Sequence, residues 1–556
     1  MRIIIYLLIG LMYYNNLCAQ EYKGKIVQSD YISQPYLWSG PSLNDSCFVV
    51  EIEIGQYNRD ITALKKSILK HDIGVYDSKL PKLKAAEWGY TVLNLKSGQQ
   101  DGSGRIIKNC YLDSLETIST RKEALKKIIK FIKQQYKYRI GEDEYIELDD
   151  KTPWYSMNGH YCWHHYAGMY GASVLGSEIG ENIHGYQLHI AMNRGAAKQY
   201  HKPWVIDFSS WFGPSILDYS TKGIWAEYSG ITHGHSISLL ERAMLMSYMA
   251  GADAVIAEAG GAISFYDEKT IDGTYRLTPY GEVFQHLMSF ARKYKVGITY
   301  TPIAIVLNKY HGMDRQPKNQ KAFGIFDYND GDYRTFNLIE NIWPGTFSVE
   351  TNGNEIGAMV NSAYADQFDF ILQDASLDLL KTYNILMLSG DIKLEKNEIN
   401  NLLSYVKDGG ILLIDEDNIK QLKIFRPKLN IEKKEYGEGL IVSYKHSALK
   451  EVLNKYFNYN IPFKISENIE YLVNIKDGAF YVTLINNDGI TKTPKENPII
   501  DDSKTKSIVI EYTGKAPLGR IKEIWKNRNI EIKDNEIKLS LEPGGAAVIE
   551  ILDRQN

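Results

Sequence analysis

The stretch "GASVLGSEIGEN", residues 171–182, runs through Ala172, Val174 and Leu175 and then sets two carboxylates three residues apart, Glu178 and Glu181. Two further apolar runs close on an acid: "VIDFSSW" carries Asp207 and "DAVIAEAG" carries Glu258. A carboxylate buried without a partner is costly, so an acid ending an apolar strand is either paired or functional. Around Glu258 stand Ala257, Ala259, Gly260 and Gly261, which leave room above the carboxyl; its bland alternative is a salt bridge to Arg242 or Arg194. Two facing carboxylates can cleave a glycosidic bond: one, protonated, delivers a proton to the leaving oxygen, and the other attacks the anomeric carbon or activates water. The proton donor needs a raised pKa, which burial or a neighbouring negative charge supplies. Glu178 is favoured over Glu181 as that donor because it sits closer to the apolar strand end, while Glu181 falls where Asn182 could cap a helix. Glu181 stays the alternative acid, and Glu227 is a third.

Other residues at expected strand ends suit a sugar. Asn158, His160, Trp163, Asp207, Trp211, His233 and His235 are candidate substrate contacts, the tryptophans as stacking platforms and the rest as hydrogen-bonding groups. His233 and His235 with Asp207 could in principle hold a metal. Histidines so placed more often bond hydroxyls or loop backbone, so no metal and no cofactor are expected.

The elements that must position these residues alternate. Candidate strands cover 47–55, 89–95, 154–161, 172–179, 203–210, 253–260 and 302–307, with a weak one near 227–235 or, instead, at 72–78. Between them run amphipathic helices such as 121–136, with Leu125, Ile128, Ile129 and Ile132 on one face, and 238–252, with Leu239, Leu240, Ala243 and Met244. That rhythm predicts an α/β fold, a (β/α)8 TIM barrel over residues 20–315 with its site at the carboxyl ends of the strands. Residues 316–460 change rhythm, with "FDFIL", "NILMLSG" and "ILLIDED" alternating with helices, and predict a doubly wound α/β domain. Residues 461–556 carry short alternating strands punctuated by turns and predict an antiparallel β-sandwich.

The chain has 556 residues with 64 Lys+Arg against 68 Asp+Glu, a formal net charge of -4. No basic stripe is available for a phosphate backbone, so nucleic acid is excluded as a partner. Aromatics are plentiful, 40 Tyr, 17 Phe and 9 Trp, and flat rings with polar edges suit sugars. Residues 1–19 read as a secretory signal: Arg2, an apolar run from Ile3 to Met12, and a small residue at Ala19. That run is too short to span a bilayer, and no later segment reaches the required length, so an exported protein, periplasmic or extracellular, without a membrane span is expected. The three cysteines after the signal, Cys47, Cys110 and Cys162, form neither a disulfide framework nor a zinc pattern.

The layout resembles the retaining glycoside hydrolases of clan A, with the acid/base on the fourth strand and the nucleophile on the seventh. It is similar in particular to family 42 β-galactosidases and their relatives, whose barrel is followed by an amidotransferase-like domain and a β-sandwich. The resemblance implies Glu178 as acid/base and Glu258 as nucleophile, a carbohydrate substrate, and a homo-oligomer, trimer or dimer, formed through the middle domain. Ser177 departs from the pattern, since those enzymes usually show Asn before the acid/base glutamate. The corner "LSGD" at 388–391 resembles the amidotransferase fold but lacks its cysteine, and Ser389 is not in a G-x-S-x-G elbow. The middle domain is therefore read as non-catalytic. The expectation is an exported glycoside hydrolase working by a two-glutamate retaining mechanism; the rivals are a non-catalytic glycan-binding protein on a degenerate barrel and a polysaccharide lyase with a Tyr or His base.

Overall fold

Apolar runs bounded by polar turns give the first sheet of the computed structural model. Apart from isolated positions, the structure describes residues 60–71, 118–132, 161–180, 185–209, 234–257, 264–314, 321–347 and 355–553, together with strands at 27–29, 37–38, 48–50, 82–88, 134–136, 145–147 and 154–158. Eight strands form the first sheet: β1 (Val27–Ser29), β2 (Leu37–Trp38), β3 (Phe48–Val50), β4 (Lys82–Trp88), β5 (Trp154–Asn158), β6 (Val174–Gly180), β7 (Trp204–Ser209) and β8 (Ala254–Ala257). Their order is β2-β1-β4-β5-β6-β7-β8-β3. Every pairing is parallel except β1 with β2. Among the described residues no ladder joins β2 to β3, the two ends of that order, although their Cα atoms come within 8 Å. The expected (β/α)8 barrel is thus represented by an eight-stranded, largely parallel sheet without a hydrogen-bonded closure.

Helices α1 (His164–Met169), α2 (Tyr186–Tyr200) and α3 (Ile237–Met249) connect successive strands across one face of this sheet, as parallel neighbours require. Residues Tyr186 to Ala197 of α2 are all buried. A helix buried all round must be covered on both sides, and α2 lies between β6 and a strand of the second domain.

The second domain is a six-stranded sheet in the order Phe368–Leu372, Ile303–Leu307, Ile385–Leu388, Ile411–Asp415, Gly439–Tyr444 and Ile431–Tyr436. Its first five strands are parallel and the last is antiparallel. This corrects one expectation. Ile303–Leu307 was expected to serve the barrel, but it pairs along its length with Phe368–Leu372 and also with Ile385–Leu388, inside the second sheet. Five consecutive buried apolar residues carry no period that would assign them to one parallel sheet rather than another. The stretch 227–233, the candidate strand at 89–95 and the alternative strand at 72–78 lie outside the described residues.

The third unit is a β-sandwich of two antiparallel sheets. One contains Ile298–Thr299, Glu470–Lys476, Ala479–Ile485, Ala546–Asp553 and Leu518–Glu523, and the other Phe463–Ile465, Lys506–Tyr512, Glu536–Leu541 and Glu531–Lys533. Ile469, Val473, Val482, Ile508, Ile510 and Ile549 fill the space between them. The strand Ile298–Thr299 comes from the chain just before the second domain, so the sandwich is stitched to the middle of the sequence.

Candidate active site

Ser177, the residue before the expected acid, fixes the geometry of β6. Its hydroxyl lies 2.7 Å from His164 Nε2 and accepts a hydrogen bond of 3.1 Å from Asn193 Nδ2. His164 opens α1 and Asn193 belongs to α2, so Ser177 faces the helices. Burial, aided by the nearby His189 and His165, pushes His164 well below the usual imidazole range, so it stays neutral there. Asn193 also donates to the carbonyls of Leu175 and Val205, tying α2 to both β6 and β7. Successive side chains of a strand point to opposite faces. Glu178, 9% exposed, therefore faces away from the helices.

The same reasoning places Asp207. Its neighbour Phe208 sets its ring 6.3 Å from Tyr186 of α2 and 6.1 Å from His235 just before α3, both on the helical side. Asp207, 2% exposed, takes the opposite face. In the parallel ladder Glu178 is the direct partner of Asp207, and Asp207 is in turn the partner of Ile256 on β8. Two carboxylates are thus side by side at the carboxyl ends of adjacent strands, the end at which sheets of this kind build their sites. Sequence reading named both residues but not their pairing. The alignment of "VLGSEIG" with "WVIDFS" holds the signal, yet register between two parallel strands depends on the connection between them and not on either strand alone.

The remaining sequence candidates are distributed as follows. Asn158 ends β5 in register with Ser177, and so shares the helical face; it is 1% exposed, and among the described residues neither its Oδ1 nor its Nδ2 has a hydrogen-bond partner. Trp163, 1% exposed, packs its ring against Tyr161, Tyr166 and the second-domain residue Phe323. His235, 3% exposed, lies with Nδ1 3.8 Å from the Glu355 carboxylate. Both rings are covered by protein. Glu181, Glu258, His160, Trp211, His233 and Glu227 lie outside the described residues.

The two arginines offered as salt-bridge partners for Glu258 are committed elsewhere. Arg194 on α2 binds Asp369 at 2.7 Å and Asp366 through both terminal nitrogens at 2.9 Å, all buried. Arg242 on α3 donates to Asn487 of the sandwich and stands 3.9 Å from Glu355. Both therefore serve the junction between domains. Glu355 belongs to the second domain and accepts from the backbone and hydroxyl of Ser236, the N-cap of α3. Burial pushes its carboxyl upward, but His235 and Arg242 prevail and hold it below the usual glutamate value. Lys492 of the sandwich, buried beside this group, is pushed down to about 8 by the loss of solvent.

In the second domain, the crevice at the carboxyl ends of Ile303–Leu307 and Ile385–Leu388 is where a doubly wound sheet reverses its order and ordinarily binds ligands. The N-terminus of the helix Asp330–Ile342 sits directly on it: a Cβ at Gly331 would lie 2.5 Å from Asp391 Cβ. Ser389 is 5% exposed and lies within hydrogen-bonding distance, 3.1 Å, of the Thr335 hydroxyl. That corner is filled by the chain itself.

Among the described residues no group of three or more His, Cys, Asp or Glu could hold a metal ion, and no helix is long and apolar enough to cross a membrane. No family model and no curated protein matches the chain. Its architecture is similar to that of solved glycoside hydrolases. A β-galactosidase from Bacillus circulans sp. alkalophilus superposes with a TM-score of 0.45 at 8% identity, over 73% of this chain and 64% of that one. An exo-carrageenase of glycoside hydrolase family 42 from Bacteroides ovatus gives 0.42 at 12% identity, over 83% of this chain and 60% of that one. An exo-beta-1,4-mannosidase from Opitutaceae bacterium strain TAV5 gives 0.31 at 12% identity, over 62% of this chain and 69% of that one. At these identities the likeness concerns the course of the chain and not its activity.

Proposed function

We propose that the chain is an exported glycoside hydrolase that cleaves a poly- or oligosaccharide by a two-glutamate retaining mechanism, without a cofactor. The observation that carries this reading is the pairing of Glu178 with Asp207 at the carboxyl ends of adjacent parallel strands, on the face away from the helices. Glu178 is the acid/base: it protonates the departing glycosidic oxygen and later takes a proton from the attacking water. Glu258 is the nucleophile that attacks the anomeric carbon and is released by that water. The leader at 1–19 directs export.

The test is hydrolysis of 4-nitrophenyl glycosides, in both anomeric forms, by the purified chain without its leader. One or more is turned over by the wild type. Glu178→Gln and Glu258→Gln, which keep the size of the side chain and remove its charge, each lower kcat by at least roughly 10²-fold, the lower range for loss of general acid/base catalysis. Circular dichroism matching the wild type establishes that both variants fold. Full activity in both variants contradicts the assignment.

A further inference from the structure

We propose that Ser177 is a positioning residue for the acid: its hydroxyl, held by one side chain from each of two helices, fixes the strand end from which Glu178 reaches the glycosidic oxygen. The inference rests on the proposed glycosidase reading and adds a residue to it. Ser177 directly precedes Glu178 on β6 and points to the other side of the strand. A turn or shift of the strand at 177 passes to Glu178 through one planar peptide unit, which cannot absorb it. Two hydrogen bonds oppose such a shift. His164 Nε2, from α1, lies 2.7 Å from the hydroxyl, and Asn193 Nδ2, from α2, donates to it at 3.1 Å. Apolar packing is non-directional, whereas hydrogen bonds set both distance and angle, so two of them from different helices hold Ser177 more narrowly than packing does.

The group is dry and has few other ties. Ser177, His164 and Asn193 are all fully buried. Among the described residues the other ring nitrogen of His164 has no hydrogen-bond partner, so Ser177 is the side chain that orients this ring. Asn193 Nδ2 also reaches the carbonyls of Leu175 and Val205, which ties the same hydroxyl to the backbone of β6 and of β7, the strand that carries Asp207. Asn158, beside Ser177 in the ladder, makes no side-chain hydrogen bond to the described residues, so β5 adds no second tie of that kind at this level of the sheet. Loss of the Ser177 hydroxyl leaves His164 without its partner in a layer that water does not reach. An unmet bond of that kind is costly, and movement of the strand end relieves it.

The experiment compares kcat/KM for a phenyl glycoside and a 2,4-dinitrophenyl glycoside of whichever sugar the wild type accepts. Phenol needs a proton from the acid in order to leave, whereas 2,4-dinitrophenol leaves without one. Ser177→Ala lowers kcat/KM for the phenyl substrate by about 10-fold or more, the scale of loss from a misplaced catalytic group, and leaves the 2,4-dinitrophenyl substrate nearly unchanged. Ser177→Thr, which keeps the hydroxyl, restores most of the phenyl activity. His164→Phe, which removes the other end of the bond, repeats the selective loss. A merely structural defect would lower both substrates equally. If Glu178→Gln shows the selective loss while Ser177→Ala and His164→Phe do not, or if circular dichroism shows both of these variants unfolded, this inference is overturned and the glycosidase reading stands. If no glycoside is turned over, or Glu178→Gln treats both substrates as the wild type does, that reading falls and this inference with it.

Discussion

At the scale of single residues, acids proposed to react stand apart from acids that hold the fold. Asp253 is of the second kind. It stands just before β8, accepts a hydrogen bond of 2.9 Å from the Trp204 backbone, and is pushed up to about 7 by burial. A carboxyl whose folded value lies above its unfolded one stabilises the fold at low pH and loses that contribution as pH rises through the folded value. For Asp253 the loss runs from about pH 4 to about pH 7. Asp253→Asn keeps an acceptor for Trp204 and has no charge to bury. The variant should melt a few degrees above wild type at pH 8, and the gain should vanish near pH 4; thermal melts at the two pH values check this. That an acid closes each of the apolar runs at Glu178, Asp207 and Glu258 was legible in sequence. That Asp207 flanks Glu178 was not, because no local pattern encodes which residue of the next strand falls opposite.

Among the elements, α2 carries the most. It fixes Ser177 through Asn193, anchors β7 through the Val205 carbonyl, and meets the second domain along its other side. The meeting is close. A Cβ at Gly195 would lie 1.8 Å from the Phe370 carbonyl oxygen, backbone that cannot move aside. Gly195→Ala should therefore destabilise the chain by about 3 kcal/mol or more, well beyond an ordinary overpacking cost, although alanine is the better helix former. Denaturant unfolding measures it, and a variant as stable as wild type would mean that α2 and Phe368–Leu372 are not in contact. Helices and strands with a clear period were readable: 238–252 covers most of α3, and 172–179 contains most of β6. The strand "KLKAAEW" at Lys82–Trp88 was not, because its Lys, Ala and Glu favour a helix and only pairing with β1 and β5 makes it a strand.

For the whole molecule, three units are joined by buried polar groups and not only by apolar surface. Arg194 of the first sheet's helix layer binds Asp366 and Asp369 of the second domain, and Asp369 also receives Lys198, Thr301 and Tyr383. Removing one member of such a group leaves the others charged and dry, which costs about 3–5 kcal/mol. Arg194→Met should lower stability by that amount and speed hydrogen exchange in Phe368–Leu372. Adding Asp366→Asn should recover part of the loss, because among the described residues Asp366 has no second cation as Asp369 has in Lys198. Changes in strand rhythm suggested successive units, whereas the joints between sheets were not readable, since Arg194 and Arg242 look in sequence like partners for Glu258. Both arginines are engaged at those joints, and Glu258 is the proposed nucleophile. Trapping with a 2-deoxy-2-fluoro glycoside of the sugar that the enzyme accepts, followed by peptide mass spectrometry, tests this most directly. The account predicts one glycosyl label per chain, on the peptide that carries Glu258. A label on another residue, or steady turnover of the parent glycoside with no trapped intermediate, would contradict it.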